Sequence, residues 1–397
     1  MTPLQLTHFT ATSCVGRGLA ATRAALEGAR GGLARRQFES AAIDTYIGEV
    51  EGLEQVRLPD PLQRYDCRNN RLAQLGLAQD GFAAAVRARA AHWGPRRVGV
   101  FMGTSTSGIL TTEIAYRRLD PVSGALPADF AYQGTHNSFS ISDYVRRALQ
   151  LEGPAATVCT ACSSSAKVFA AAERMIDADL IDAAVVGGVD TLCLTTLYGF
   201  HSLQLTSREP CRPFDAARDG LSIGEAAAFA LLQRAPMILD ARTVLLLGTG
   251  ESSDAYHMSS PHPEGIGART AMQRALAAAA VLPADVDYIN LHGTGTPSND
   301  VAESLAVTAL FGRETPCSST KGATGHALGA AGALEAVICA LALQSGLMPG
   351  GLNTQQRDPR LELNYLTTNR RGRLRRVLSN SFGFGGANCA LLFGLAA

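Results

Sequence analysis

The chain has 397 residues with 35 acidic and 35 basic side chains, so its formal net charge at pH 7 is zero. This balance gives no reason to expect nucleic acid or a membrane as the main partner. The first twenty residues lack the basic start and apolar run of an export signal, and we expect no segment that crosses a bilayer. Nine cysteines with a single Cys-x-x-Cys pair argue against a zinc ribbon. We therefore expect a reduced, cytoplasmic protein without a metal centre.

Short β-rich runs alternate with helical patterns along the chain, which predicts an α/β layered fold. The pattern predicts strands over residues 97–102, 156–160, 183–186, 227–233, 244–248, 288–291, 316–319 and 389–393. It predicts helices over residues 18–27, 64–90, 164–178, 268–280, 301–311 and 330–345.

One arrangement occurs twice along the chain: a strand, a polar turn, a reactive residue and a helix of small residues. Cys162 opens the helix in the first copy and His326 opens it in the second. We interpret the copies as equivalent parts of two similar halves, residues 1–240 and 241–397, whose corresponding loops meet at one site.

Cys162 follows an apolar strand and precedes Ser163, Ser164 and Ser165 at the start of a helix. The free amides and dipole of a helix start favour a thiolate over a thiol and can bind an oxyanion. The sequence therefore indicates a nucleophilic cysteine with a lowered pKa; the alternative is an inert core cysteine. We place Cys159, three residues earlier, in the strand and in the core.

The string His292-Gly293-Thr294-Gly295-Thr296-Pro297 combines an imidazole, two hydroxyls and two flexible glycines. Glycines on either side of Thr294 allow a tight turn that brings these groups to one point. A lone histidine is more often an ordinary core or surface residue, but this setting is uncommon.

Lysine occurs at only two positions, Lys167 and Lys321, and Lys321 lies five residues before His326. We expect Lys321 to pair with Glu335, because a buried ammonium is unfavourable without a carboxylate. The remaining string, Asn380 to Asn388, is a Gly-rich turn whose amides could face Cys162.

These four strings, in this order, resemble the elongating β-ketoacyl-acyl carrier protein synthases, which are condensing enzymes of the thiolase-like superfamily. The resemblance extends from about Thr7 to Leu395. It implies a five-layered αβαβα fold built from two similar halves.

The resemblance also implies roles for individual residues. Cys162 would be the acyl-accepting nucleophile, His292 and His326 the histidine pair, and Lys321 the active-site lysine. The remaining assignments are Phe384 as the gating residue that shares an oxyanion hole with Cys162, Thr294 and Thr296 as pantetheine-binding residues, Thr106, Phe200 and Phe382 beside the acyl pocket, and Glu335 and Asn388 as structural residues.

The implied reaction is a decarboxylative condensation of an acyl thioester with malonyl-carrier protein. It needs no metal or redox cofactor, because the phosphopantetheine belongs to the acyl carrier protein. An acidic carrier could dock on Arg64, Arg68 and Arg71, which share one helix face, together with Arg208. The alternative for these arginines is an ordinary solvated face.

Other functions stay open at this point. The chain could act as a homodimer or as the ketosynthase of a heterodimer with a chain-length factor. A non-reactive chain-length factor or a scaffold protein has little reason to keep these reactive groups. A coenzyme A-dependent thiolase is disfavoured because its second thiol would have to be Cys389, which falls in the last predicted strand. Fatty acyl, aryl polyene and polyketide chains are all possible products.

Overall fold

The computed structural model describes residues 2–396. The strands are β1 (Leu4–Ser13), β2 (Gly16–Arg17), β3 (Ala34–Arg35), β4 (Tyr46–Gly48), β5 (Val98–Gly103), β6 (Ala155–Val158), β7 (Ala183–Asp190), β8 (Ile223–Gly224), β9 (Ala226–Arg234), β10 (Val244–Ser253), β11 (Tyr288–Asn290), β12 (Pro316–Ser318), β13 (Leu347–Met348), β14 (Asn364–Tyr365), β15 (Arg370–Arg371), β16 (Arg376–Gly383) and β17 (Ala387–Leu395). The α-helices are α1 (Gly18–Glu27), α2 (Arg68–Leu77), α3 (Phe82–Trp93), α4 (Ile109–Tyr116), α5 (Ser140–Ala148), α6 (Ser164–Asp177), α7 (Leu194–Ser202), α8 (Ile266–Ala279), α9 (Pro297–Phe311), α10 (Lys321–Thr324) and α11 (Ala331–Ser345).

The strand order of the main sheet repeats itself. Side by side, the strands run β14-β12-β11-β16-β17-β10-β1-β9-β7-β5-β6. We number five strands of each half in chain order: β1, β5, β6, β7 and β9 in the first half, and β10, β11, β12, β16 and β17 in the second. From the outer side of the sheet to its centre, both halves then have the order third, second, fourth, fifth, first. The halves join where Leu4–Leu6 pair antiparallel with Val244–Leu246. The prediction of an α/β fold with two similar halves is confirmed.

Helices occupy three layers around the two halves of the sheet. Helices α6 and α11 pack on each other and on strands of both halves, which makes them the central layer. Helices α2, α3 and α5 cover the outer face of the first half, and α8 and α9 cover that of the second. This is the predicted αβαβα arrangement. Since parallel strands such as β5, β6 and β7 end at one edge, the loops that follow them converge.

Residues 328–345, which comprise α11 and the turn before it, form the one helix of the described range 2–396 that is long and apolar enough to cross a membrane. By length and composition this helix could cross a bilayer, which we did not expect of any stretch of the chain; that no segment crosses one stays a prediction. The helix instead lies in the central layer, with nearly all of its side chains buried. A helix that is apolar on every side is typical of such a core position.

Two local predictions also need correction. The helix predicted over residues 64–90 is interrupted between α2 and α3, where Asp80 and Gly81 adopt positive φ angles of 52° and 69°. Cys159 lies beyond the end of β6 and is exposed, so its assignment to a core strand is wrong. The proposed division at residue 240 falls in the loop between β9 and β10.

The face of α2 that we expected to receive a carrier protein is largely occupied by ion pairs. Arg68 is buried, and its guanidinium binds the fully buried carboxylate of Glu225 at 2.6 Å and 2.9 Å. Glu225 also accepts hydrogen bonds from the backbone amides of Val50 and Leu192. Arg71 pairs with Asp66 at 2.6 Å. The Arg68–Glu225 pair therefore ties three segments of the first half together rather than facing a partner.

Replacing Glu225 with alanine should lower the free energy of unfolding by about 3–5 kcal/mol, because it removes the one fully buried carboxylate that pairs with the buried Arg68 guanidinium. Arg68 then keeps only Glu49 and Glu54, whose side chains are partly exposed. Urea unfolding of the purified protein measures this loss. The matched control is Glu152→Ala, which removes the exposed pair with Arg96 and should change stability by less than about 1 kcal/mol. Equal losses in the two variants would contradict the structural role of the buried pair.

Candidate active site

Cys162 is placed by a sharp turn between β6 and α6. Ala161 before it adopts the left-handed φ of 52°, which alanine rarely does, and α6 begins two residues after it at Ser164. Helix α6 can approach this closely because β5 ends in Gly103, where a Cβ would lie 2.3 Å from the Ser165 nitrogen. The prediction that Cys162 precedes a helix start is thereby met, and its side chain is buried.

His326 is held against Cys162 by backbone pairing with β8. The His326 amide donates to the Ser222 carbonyl at 2.7 Å, and the Gly224 amide donates to the His326 carbonyl at 3.0 Å. Its Nε2 then lies 2.9 Å from the Cys162 sulfur. The Nδ1 atom has no hydrogen-bond partner among residues 2–396, so neither tautomer of this ring is fixed by a neighbour.

His292 is positioned by a carboxylate that our sequence analysis did not single out. The side chain of Glu303 on α9 accepts hydrogen bonds from the amides of His292 and Gly293 at 2.8 Å and 2.7 Å. Asn380 donates to the same carboxylate at 3.0 Å. The only sequence signal for this role was an acidic residue in the helix that follows the His-Gly-Thr-Gly-Thr string, which is common at helix starts for other reasons.

Lys321 lies behind the two histidines and pairs with Glu335 as predicted, with both side chains buried. Its ammonium also donates to the carbonyl of His292 and reaches Nδ1 of that ring at 3.4 Å. An ammonium can only donate, so Nδ1 of His292 must be the acceptor and Nε2 carries the proton. Lys321 thereby leaves the N–H of His292 on the ring nitrogen that it does not contact.

Burial and charge keep both rings neutral. Burial, and then the positive charge of Lys321, lower the pKa of His292 and of His326 well below the usual value of 6.5. Burial raises the pKa of Glu335 to about 7, although the Lys321 ammonium lowers it. The histidines are therefore poised to exchange hydrogen bonds rather than to carry charge.

The thiol differs from our expectation in its ionisation. Burial raises the pKa of Cys162 to about 11, although the charge of Lys321 and the Phe384 amide that donates to the sulfur both lower it. The prediction of a lowered pKa is wrong for the ligand-free enzyme, because the loss of hydration outweighs the helix start. The resting group is a thiol hydrogen-bonded to the neutral His326.

A narrow cleft reaches Cys162, His292 and His326, and most of the other predicted residues line it. Thr294 and Thr296 lie in it with their hydroxyls 2.8 Å apart. Phe384 packs on Phe200 with ring centroids 5.4 Å apart, and Phe382 packs on His292 at 5.9 Å.

The other four predicted residues have different settings. Asn388 lines the cleft and donates to Asp254 at 2.8 Å, which joins the Gly-rich turn to the segment after β10. Thr106 does not line the cleft. It is buried, and its hydroxyl donates to Asp190 at 2.7 Å. Lys321 and Glu335 lie behind the cleft rather than in it.

The donor atoms of Cys162, His292 and His326 all lie within 4.8 Å of one another, a spacing that could accommodate a metal ion. The Lys321 ammonium beside His292 opposes a dication there by charge repulsion. The expectation of a metal-free site stays a prediction.

Comparison with known proteins identifies the family. Residues 70–237 match the family model of the beta-ketoacyl synthase N-terminal domain, and residues 244–355 match that of the beta-ketoacyl synthase C-terminal domain. The chain belongs to the beta-ketoacyl synthase family. The predicted resemblance, with the condensing acyltransferase chemistry that it implies, is confirmed.

Among curated relatives, the 3-oxoacyl-[acyl-carrier-protein] synthase 2 of Coxiella burnetii is 35% identical over 310 residues, which cover 75% of each protein. The mitochondrial 3-oxoacyl-[acyl-carrier-protein] synthase of Arabidopsis thaliana is 37% identical over 270 residues, 64% of this chain and 59% of that protein. Among solved structures, the ketosynthase ApeO in complex with its chain length factor ApeC from Xenorhabdus doucetiae matches with a TM-score of 0.90 and 37% identity, over 100% of this chain and 98% of that one.

Because the Cys162 pKa is raised, its alkylation by iodoacetamide should accelerate about tenfold per pH unit between pH 7 and pH 9, with no plateau. At a pH below the pKa of a thiol, the fraction present as thiolate rises tenfold with each pH unit. Peptide mass spectrometry of a Cys159→Ser background, which removes the exposed thiol nearby, measures the rate. A rate that levels off at or below pH 8 would show that the resting enzyme already holds a thiolate.

Proposed function

We propose that the chain is a β-ketoacyl-acyl carrier protein synthase that extends an acyl chain by two carbons in a decarboxylative condensation. The observation that carries this proposal is the meeting of a buried thiol with two neutral imidazoles at the end of a cleft. The chain would need no cofactor of its own, because its substrates arrive on the phosphopantetheine of a carrier protein.

In the first stage Cys162 attacks the carbonyl carbon of an acyl thioester. Its proton moves to His326 Nε2, 2.9 Å away, as the carbon–sulfur bond forms. The amides of Cys162 and Phe384 would stabilise the tetrahedral oxyanion. On collapse the carrier thiolate leaves and takes the proton from His326. The products are acyl-Cys162 and a free carrier thiol.

In the second stage a malonyl thioester enters and loses carbon dioxide. The electrons of the broken carbon–carbon bond form an enolate, whose oxygen accepts hydrogen bonds from Nε2–H of His292 and of His326. The enolate carbon attacks acyl-Cys162, and the Cys162 thiolate leaves and takes up a proton from solvent, which balances the negative charge that the malonyl carboxylate brought in. A β-ketoacyl thioester, carbon dioxide and the starting enzyme result. His326 can serve both stages because its Nδ1 is not tied to a neighbour.

The alternative of a coenzyme A-dependent thiolase is disfavoured by the position of Cys389. This thiol is fully buried within β17 and does not line the cleft, whereas a thiolase needs a second reactive cysteine beside the first. A non-reactive chain-length factor is disfavoured because Cys162 and both histidines are present.

For partners, we propose an acidic acyl carrier protein and a second synthase subunit. With Arg68 buried, Arg208 is the better carrier contact: it is exposed, has no ion pair within residues 2–396, and lies three residues after Leu205 in the cleft wall. The second subunit would pair along β6, an edge strand with one free side. It could be another copy of this chain or a chain-length factor.

We place the enzyme in the reducing cytoplasm, since all nine cysteines are free thiols. The product would be a fatty acyl, aryl polyene or polyketide chain.

The two stages can be separated with His292→Ala. Condensation with malonyl-carrier protein should fall about 100- to 1,000-fold, because one of the two donors to the enolate is lost. Transfer of a radiolabelled acyl group to Cys162 should stay within about tenfold, since His326 supplies the proton acceptor. The control is His92→Ala, an exposed histidine on α3, which should change neither rate. If acyl transfer and condensation fall together, His292 does not act in the second stage alone.

A further inference from the structure

A dense group of arginines lies at the end of the molecule opposite the catalytic loops. Five of the seven residues from 370 to 376 are arginine, in a chain whose formal net charge is zero. Arg371 pairs with Glu27 at 3.1 Å. The others, Arg370, Arg373, Arg375 and Arg376, have no ion pair with any residue of the range 2–396, and all except the half-buried Arg376 are exposed.

An exposed apolar loop lies beside them. The Leu395 amide donates to the Arg375 carbonyl and the Ala396 amide donates to the Thr243 carbonyl, both at 3.0 Å, so these segments flank the same strand end. The loop before Thr243 carries Arg242, which is exposed and has no ion pair in the described chain. It also carries Met237 and Ile238, whose exposed fractions are 104% and 90%. Two large apolar side chains thus project into solvent from the loop that leads into Arg242 and Thr243, at the end of the sheet where Arg375 lies.

The nearby carboxylates do not cancel this charge. Asp287 accepts hydrogen bonds from the amides of Arg375 and Arg376, and Asp240 accepts one from the amide of Arg242. Together with Glu27 they set three negative charges against six arginines. The excess positive charge stands beside apolar side chains that the protein itself does not cover.

We propose that this surface, the arginine face (Met237, Ile238, Arg242, Arg370, Arg373, Arg375 and Arg376), binds membranes that contain anionic phospholipids. Arginines attract anionic headgroups, and exposed apolar side chains gain by entering the boundary between headgroups and acyl chains. The apolar tip favours a lipid surface over nucleic acid, which would engage the arginines but leave Met237 and Ile238 in water.

The arginine face leaves the catalytic cleft accessible. Strand β16 begins at Arg376 and ends at Gly383, next to Phe384 in the cleft. Seven strand steps span roughly 23 Å. A membrane bound at one end of the strand would thus leave the other end open to a carrier protein. The proposal does not depend on the reaction assigned above.

The test is co-sedimentation of the whole protein with vesicles of phosphatidylcholine that contain about one third phosphatidylglycerol. Binding should weaken with added salt and be lost in pure phosphatidylcholine. Arg373→Glu/Arg375→Glu should weaken binding by at least about 25-fold, because each lost cation contributes about fivefold. Met237→Ser/Ile238→Ser should weaken vesicle binding but leave its dependence on salt unchanged, because the arginines are still present.

The matched control is Arg87→Glu/Arg89→Glu, which makes the same charge change on α3 and should leave vesicle binding unchanged. Condensation with water-soluble substrates should be normal in all three variants, which separates loss of binding from misfolding. Three results would overturn the proposal: no binding to anionic vesicles, an equal loss in the control, or binding of a labelled oligonucleotide through the arginine face without vesicle binding.

Discussion

One buried cation organises the catalytic centre. Lys321 sits between the Glu335 carboxylate and the carbonyl and ring of His292, with all three side chains removed from water. Burial alone would allow either tautomer of His292, but an ammonium at Nδ1 leaves only Nε2 to carry the proton. The same charge helps to lower the pKa of both histidines. An enolate must be stabilised here without being protonated. Neutral imidazole N–H groups beside the thiol can do this, whereas an imidazolium ion would give up its proton.

The repeated topology explains how residues so distant in sequence meet. Each half delivers a loop at the same point of the same strand order: the first carries Cys162 between β6 and α6, and the second carries His326 between β12 and α11. The central helices α6 and α11 then pack on each other, which brings these loops together. The site is thus built from two equivalent positions that have acquired different chemistry, a nucleophile in one and a hydrogen-bonding ring in the other.

The sequence predicted the fold class and the reacting groups because short strings fix them locally. The Gly-rich turn of His292 and the small-residue helices are readable without knowing their neighbours. What the sequence could not supply were long-range pairings. The burial of Arg68 depends on Glu225, 157 positions away, and the support of His292 depends on a carboxylate that any helix start could carry. The direction of the Cys162 pKa shift also failed, because it depends on how completely water is excluded, which no local string encodes.

The neutral state of the two histidines is the claim on which the account rests, and nitrogen NMR of ¹⁵N-histidine-labelled enzyme measures it directly. We predict that at pH 6.5, where a free imidazole is half protonated, His292 and His326 both give the signals of neutral rings, with His292 in the Nε2–H form. Each signal is assigned by its loss when that histidine is replaced. A charged ring at either position at this pH, or a proton on Nδ1 of a neutral His292, would contradict the account.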